Sequence, residues 1–106
     1  MSLAIIKKLF EKIEKDGCGI NGYEKIIQFE FTDLKESYNV KFLGERAELI
    51  DISETPSATV QITSENFEKL TNGQLNPNTA FLFGKIKVFG DMSQLLKLSK
   101  ILEYYS

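Results

Sequence analysis

The side chains able to do chemistry in this chain are few and poorly placed for it. There is no histidine and one cysteine, Cys18. Without imidazole there is no Ser-His-Asp or Cys-His arrangement, no His-ligated metal, and no acid/base group that changes charge near neutral pH. One cysteine excludes an intramolecular disulfide and any multi-cysteine zinc site. The remaining candidates are Asp33 with Glu36, and Ser93 with Lys97 at helical i,i+4 spacing. They read more simply as a turn and a surface contact. Lys97 as a base would need burial to depress its pKa, and Cys18 lacks an adjacent activating group. The chain is expected to be non-catalytic, with no cofactor and no metal.

Cys18 lies in "GCGING", Gly17 to Gly22, a literal match to G-x-G-x-x-G. That fingerprint binds a pyrophosphate when a strand leads into it and a helix N-terminus follows. Here a helix precedes and a strand follows, so the segment reads as a helix C-cap and turn.

The elements that would position any site are legible from periodicity. From Leu3 to Lys15, Leu3, Ile5, Ile6, Leu9, Phe10 and Ile13 fall on one helical face and the charged residues on the other. The near balance of Lys and Glu favours packing on a sheet over lying on a membrane. Four segments of period two follow: "KIIQFEF", "SYNVKF", "RAELIDI" (Ala47 and Leu49 against Ile50 and Ile52) and "SATVQIT". The short links "TDLKE" and "LGE" suit hairpins, so the first three strands are expected to pair antiparallel in sequence order, with one sheet face wet. Ser64 is the expected N-cap of "ENFEKLTNG", and "QLNPNTAFLFG" reads as a proline turn carrying Leu75, Phe81, Leu82 and Phe83. Lys85 to Phe89 form the expected fifth strand, and a C-terminal helix closes the chain.

That last helix is too apolar for a one-sided surface helix. Met92, Leu95, Leu96, Leu98, Ile101, Leu102 and Tyr105 spread over roughly 220° at ~100° per residue, where an ordinary surface helix shows somewhat over 100°. Its excess calls for cover, by the protein's own core, a partner or an apolar molecule.

Length and composition bound the rest. The 106 residues read as one domain, 1–106, with 42% hydrophobic and 26% charged residues and a net charge of −2. Mixed Lys and Glu leave no dense basic footprint, so nucleic acid is not an expected partner. The longest apolar runs are far below the ~18 residues that cross a bilayer. There is no hydrophobic leader, no prenylation box, and Tyr104-Tyr105-Ser106 is not a Ser-Lys-Leu address; a cytoplasmic location is expected.

The stretch "ATVQITSENFEKLTNGQLNPNTAFLFGKIKVFGDMSQLLKL", Ala58 to Leu98, resembles the central signature of the sterol carrier protein 2 family. That signature runs strand, short helix ending in G-x-L-N-P, apolar A-F turn, a G-K-(apolar)-K-(apolar)-x-G-(Asp/Asn)-Met strand, and a Leu/Lys-rich helix. The glycines and Asn76-Pro77 fall in register, and the upstream helix, turn and hairpins match in order and length. The resemblance implies an α+β fold, a five-stranded mostly antiparallel sheet with helices on one face enclosing an apolar tunnel. It also implies a ligand drawn from fatty acids, fatty acyl-CoA, phospholipids and sterols. By matching positions, Phe81, Leu82, Phe83, Met92, Leu95, Leu96, Leu98 and Leu102 line the tunnel over a floor of Ile27, Phe29 and Phe31, although each also suits a packed core. Lys97, Lys100 or the helix N-terminus near Asp91 are candidates for an anionic head group, against a plain solvated face. The expected partners are an apolar lipid, a transient membrane surface and a second copy of the chain. The alternative implied by the same resemblance is an interaction or dimerisation module with a filled core and no lipid role.

Overall fold

The period-two segments pair into one sheet. The computed structural model describes residues 2–51, 54–91 and 93–105, excepting the side chains of Ser2, Leu3, Ile5 and Leu95. Ile52 and Met92 therefore lie outside the described residues, as do the side chains of Leu3, Ile5 and Leu95. Strands β1 (Ile26–Phe31), β2 (Glu36–Phe42), β3 (Ala47–Ile50), β4 (Ala58–Ile62) and β5 (Lys87–Gly90) lie in the order β3-β2-β1-β4-β5. All neighbours are antiparallel except β1 and β4, which run parallel. The expected five-stranded, mostly antiparallel sheet is present.

Its register follows from hydrophobic alternation. Ile27, Phe29 and Phe31 point to one side of β1, opposite Val40 and Tyr38 on β2 and Ala58, Val60 and Ile62 on β4. A one-residue slip would turn this whole set outward, which the core does not tolerate. The helices cover that side. Helix α1 (Ser2–Lys15) buries Ile6, Leu9 and Ile13, and α2 (Ser64–Thr71) buries Phe67 and Leu70. The Phe67 ring meets Phe29 and Phe31 edge-on, with centroids 5.6 and 5.4 Å away. On the other sheet face, Asn39 is buried and its Nδ2 donates to Glu54 O at 2.8 Å, where the β3–β4 connection passes.

Three local expectations are corrected. The N-cap of α2 is Thr63, not Ser64: Thr63 holds the extended backbone a cap requires, and its hydroxyl accepts from Asn66 N. Ser64 instead donates both its Oγ, at 2.6 Å, and its N–H, at 2.9 Å, to the Asp33 carboxylate, tying the β1–β2 turn to α2. Pro77 does not mark a plain turn. It starts the short helix α3 (Pro77–Leu82), with Asn76 accepting from the amides of Asn78 and Thr79; proline at the first helical position loses no useful donor. Finally, β5 begins at Lys87, not Lys85, because the amides of Lys85 and Ile86 both turn back onto Ala80 O to close α3.

Candidate functional site

Helix α4 (Gln94–Tyr104) packs against α2, α3 and the turn at Gly17–Gly19, and is held at both ends by polar contacts. At its start, Asp91 accepts from Ser93 N at 3.0 Å and Ser93 Oγ at 2.6 Å, fixing the residue just before the helix. Gln94 Nε2 donates to the same carboxylate at 2.9 Å while Gln94 Oε1 accepts from the buried Tyr23 hydroxyl at 2.6 Å. Asp91 N donates to Ser57 O. Tyr23, Gln94 and Asp91 thus form one chain of hydrogen bonds from the first turn of the sheet domain to the base of α4. Burial, then the nearby Asp91 charge, pushes the Tyr23 phenol up to about 12. Hydrogen bonds from Ser93 and Gln94 hold the Asp91 carboxyl below its usual range.

At the far end the anchor is the turn at Gly17–Gly19. Tyr105 Oη donates to Asp16 O at 2.7 Å and Tyr104 Oη to the Asp16 carboxylate at 2.5 Å. The latter bond, first among several causes, raises the Tyr104 phenol to about 12. Gly19 lies beneath both rings: a Cβ there would sit 2.3 Å from Tyr104 Cδ1 and 2.7 Å from Tyr105 Cε2. So Gly17 and Gly19 serve a close approach, the former to Glu45 O, while Gly22 serves a positive φ of 78°; in place of the expected helix C-cap, Gly17–Gly19 form one 3-10 turn opened by Asp16, whose carboxylate accepts from Cys18 N. Lys12, expected on the solvated face of α1, instead donates its Nζ to Thr71 O at 2.5 Å and Tyr105 O at 2.8 Å, at the C-terminal ends of α2 and α4. A cation is favoured at both sites by the helix dipoles.

Between these anchors α4 is apolar. Leu98, Ile101, Leu102 and Tyr105 are buried, while Leu96 is 63% exposed on the outward side. The floor residues Ile27, Phe29 and Phe31 face the helices and are sealed from solvent. Phe81 is half-buried. Leu82 and Phe83, at the end of α3, stand 80% and 76% exposed. A cleft of about 440 Å³ opens between α4 and the turn before β1, with Ile20, Tyr23, Ile101 and Tyr104 in its wall and Lys97 and Lys100 along it. A second, of about 670 Å³, opens across the same turn toward Glu45 and Arg46.

Two of the catalytic candidates already serve local hydrogen bonds. Asp33 is engaged by Ser64, and Ser93 Oγ by Asp91. Asp16, by hydrogen bond and charge, raises the Cys18 thiol, which disfavours the reactive thiolate. Among the described residues no cluster of His, Cys, Asp or Glu could hold a metal ion, and no helix is long and apolar enough to cross a membrane.

Comparison with known proteins agrees with this architecture. The SCP-2 sterol transfer family model matches residues 6–103. The hydroxysteroid dehydrogenase-like protein 2 of Xenopus laevis is 33% identical over 104 residues, covering 93% of this chain and 23% of that protein. The Homo sapiens protein of the same name is 32% identical over 72 residues, covering 68% of this chain and 16% of its own length. The chain thus spans less than a quarter of these relatives. Among solved structures, palmitated SCP2L2 from Aedes aegypti superposes with a TM-score of 0.73 at 21% identity, covering 92% of this chain and 90% of that one. The SCP2-like structure of the ubiquinone synthesis protein UbiJ gives a TM-score of 0.66 at 15% identity, over 85% and 79% of the two chains. With the family model matched from the first helix to the end of α4, the chain belongs to the SCP-2 sterol transfer family.

Proposed function

We propose that this domain is a non-catalytic carrier that takes one long-chain lipid between α4 and the sheet. The observation that carries the proposal is the way α4 is held: polar anchors at its two ends, and between them an apolar stripe whose Leu98, Ile101 and Leu102 join the same core as Ile27, Phe29 and Phe31. A helix so pinned can lift in the middle and settle on an acyl chain, which removes apolar surface from water as a side chain does, at roughly 25 cal/mol per Å². Membership of a sterol-transfer family supports the same reading, as does the likeness to a protein described as palmitated. In the proposal Ile27, Phe29 and Phe31 form the floor and Phe81, Leu98, Leu102, Met92 and Leu95 the walls. Leu82, Phe83 and Leu96 stand at the mouth. Lys97 and Lys100, on the 440 Å³ cleft, receive an anionic head group. The carrier acts in the cytoplasm, which cell fractionation checks.

The competing module reading has one observation in its favour. Ile27, Phe29 and Phe31 are closed over by Phe67 and their neighbours, as a filled core requires. Loading separates the two. The chain has no tryptophan, so Leu96→Trp introduces a single reporter. Oleate is expected to shift its emission to the blue, and native mass spectrometry to show one lipid bound per chain. A folded variant that neither shifts nor gains mass refutes the carrier.

A further inference from the structure

The segment from Leu82 to Phe89 leaves α3 and becomes the edge strand β5, and it holds three of the large apolar side chains most open to water. Leu82 is 80%, Phe83 76% and Phe89 51% exposed, while Ile86 and Val88 between them are buried and fix the segment to the core. Gly84, at φ +72°, turns the chain directly behind Phe83. Lys85 and Lys87 are exposed in the same stretch. They are also the only charged residues from Pro77 to Gly90, in a chain whose net charge is −2. An acidic protein thus presents one strip that combines bare leucine and phenylalanine with purely positive charge.

That combination selects a partner. Leucine and phenylalanine gain by entering the boundary between head groups and acyl chains, and lysines beside them meet anionic lipid phosphates and carboxylates. A second copy paired along β5 would instead bring Lys85 and Lys87 toward their own counterparts, and edge lysines oppose strand addition. We propose that Leu82–Phe89 is a docking surface for an anionic phospholipid bilayer. Leu82 and Phe83 enter the interface, Phe89 lies along it, and Lys85 and Lys87 hold the domain there by charge. The purpose of docking rests on the carrier reading, since it places the mouth against the source of lipid, but docking is measured apart from loading.

Flotation with extruded vesicles tests it. The protein is expected to float with vesicles of phosphatidylcholine and phosphatidylserine at low salt, and to release as salt rises. With phosphatidylcholine alone it stays behind. Lys85→Gln with Lys87→Gln weakens binding about twenty-five-fold, from about fivefold per lysine at an anionic surface. Phe89→Ser weakens it as well, and Leu82→Ser with Phe83→Ser abolishes it. These side chains are exposed, so circular dichroism and oleate loading of the lysine variant remain those of the parent. Absence of flotation, flotation unchanged by the substitutions, or a dimer in sedimentation that the substitutions dissolve overturns the proposal. If vesicles fail to bind while oleate still loads, docking alone falls; if oleate fails to load while vesicles bind, the carrier reading falls.

Discussion

Lys12→Met removes the ammonium that joins three helices while keeping most of its aliphatic stem. In the parent, Nζ donates to Thr71 O at 2.5 Å and Tyr105 O at 2.8 Å, so one side chain of α1 closes the ends of α2 and α4. A hydrogen bond to a charged group contributes about 1.5–3 kcal/mol when well sheltered. Here the lysine is part-exposed, and water can replace it at both carbonyls, so about 1 kcal/mol per bond is the better figure. Loss of both costs about 2 kcal/mol, near a thirtyfold change in the folded-to-unfolded ratio, and lowers Tm by about 10 °C in a domain of this size. Urea denaturation measures the first effect and amide hydrogen exchange locates it. Protection should fall at the last turns of α2 and α4 more than in the sheet. The carrier reading adds faster release of bound oleate from the Met variant. If the urea midpoint and the exchange at both helix ends match the parent, Lys12 is not a clamp, and α4 is held by its apolar contacts and its other polar anchors.

Gly19→Ala drives a methyl group into Tyr104 and Tyr105, and overpacking of this kind costs about 1–3 kcal/mol; Tyr104→Ala in the same chain should return part of it, as read by denaturation. Acid should loosen the base of α4: the Asp91 carboxyl is held below its ordinary 3.8, so its contribution is present above that value and is lost as pH falls through the lowered one, seen as faster exchange in the first turn of α4. Alkali acts in the opposite sense on Tyr23. Its phenol is raised to about 12 from 10.0, so the folded state holds its proton more tightly, and that stability is complete below pH 10 and lost on rising to about 12. Tyrosinate absorbance follows this titration, and Tyr23→Phe should remove its share at a cost of about 1–2 kcal/mol for stranding Gln94 Oε1.

Much of the fold was legible because burial has a period. The alternation of Ile27, Phe29 and Phe31, and the helical spacing of Ile6, Leu9 and Ile13, are local patterns that the sheet and α1 obey. Where one residue serves two opposite local structures, the pattern is silent: proline ends a strand and opens a helix, and only the Asn76 cap shows that α3 follows. Long-range polar partners leave no local trace. The two acceptors of Lys12 lie 59 and 93 residues away, and Gln94 lies 71 residues from Tyr23. In sequence these are a helix-face lysine, a polar residue in an apolar helix and a tyrosine before a strand. The width of the α4 stripe did not tell which of its residues would be covered: Leu98, Ile101, Leu102 and Tyr105 are buried and Leu96 is exposed.

The one parallel pairing in the sheet governs the order in which the molecule can assemble. β1 meets β2 across a short turn, but its other edge waits for β4, with Ile27 opposite Ala58. During synthesis the first three strands can zip together as a meander while one edge of the central strand keeps its backbone N–H and C=O groups unpaired. Closing the longer loop is the slower event. Until Ala58–Ile62 has emerged from the ribosome and slotted in, that edge is the place where a nascent chain would stick to its neighbours or be held by a chaperone.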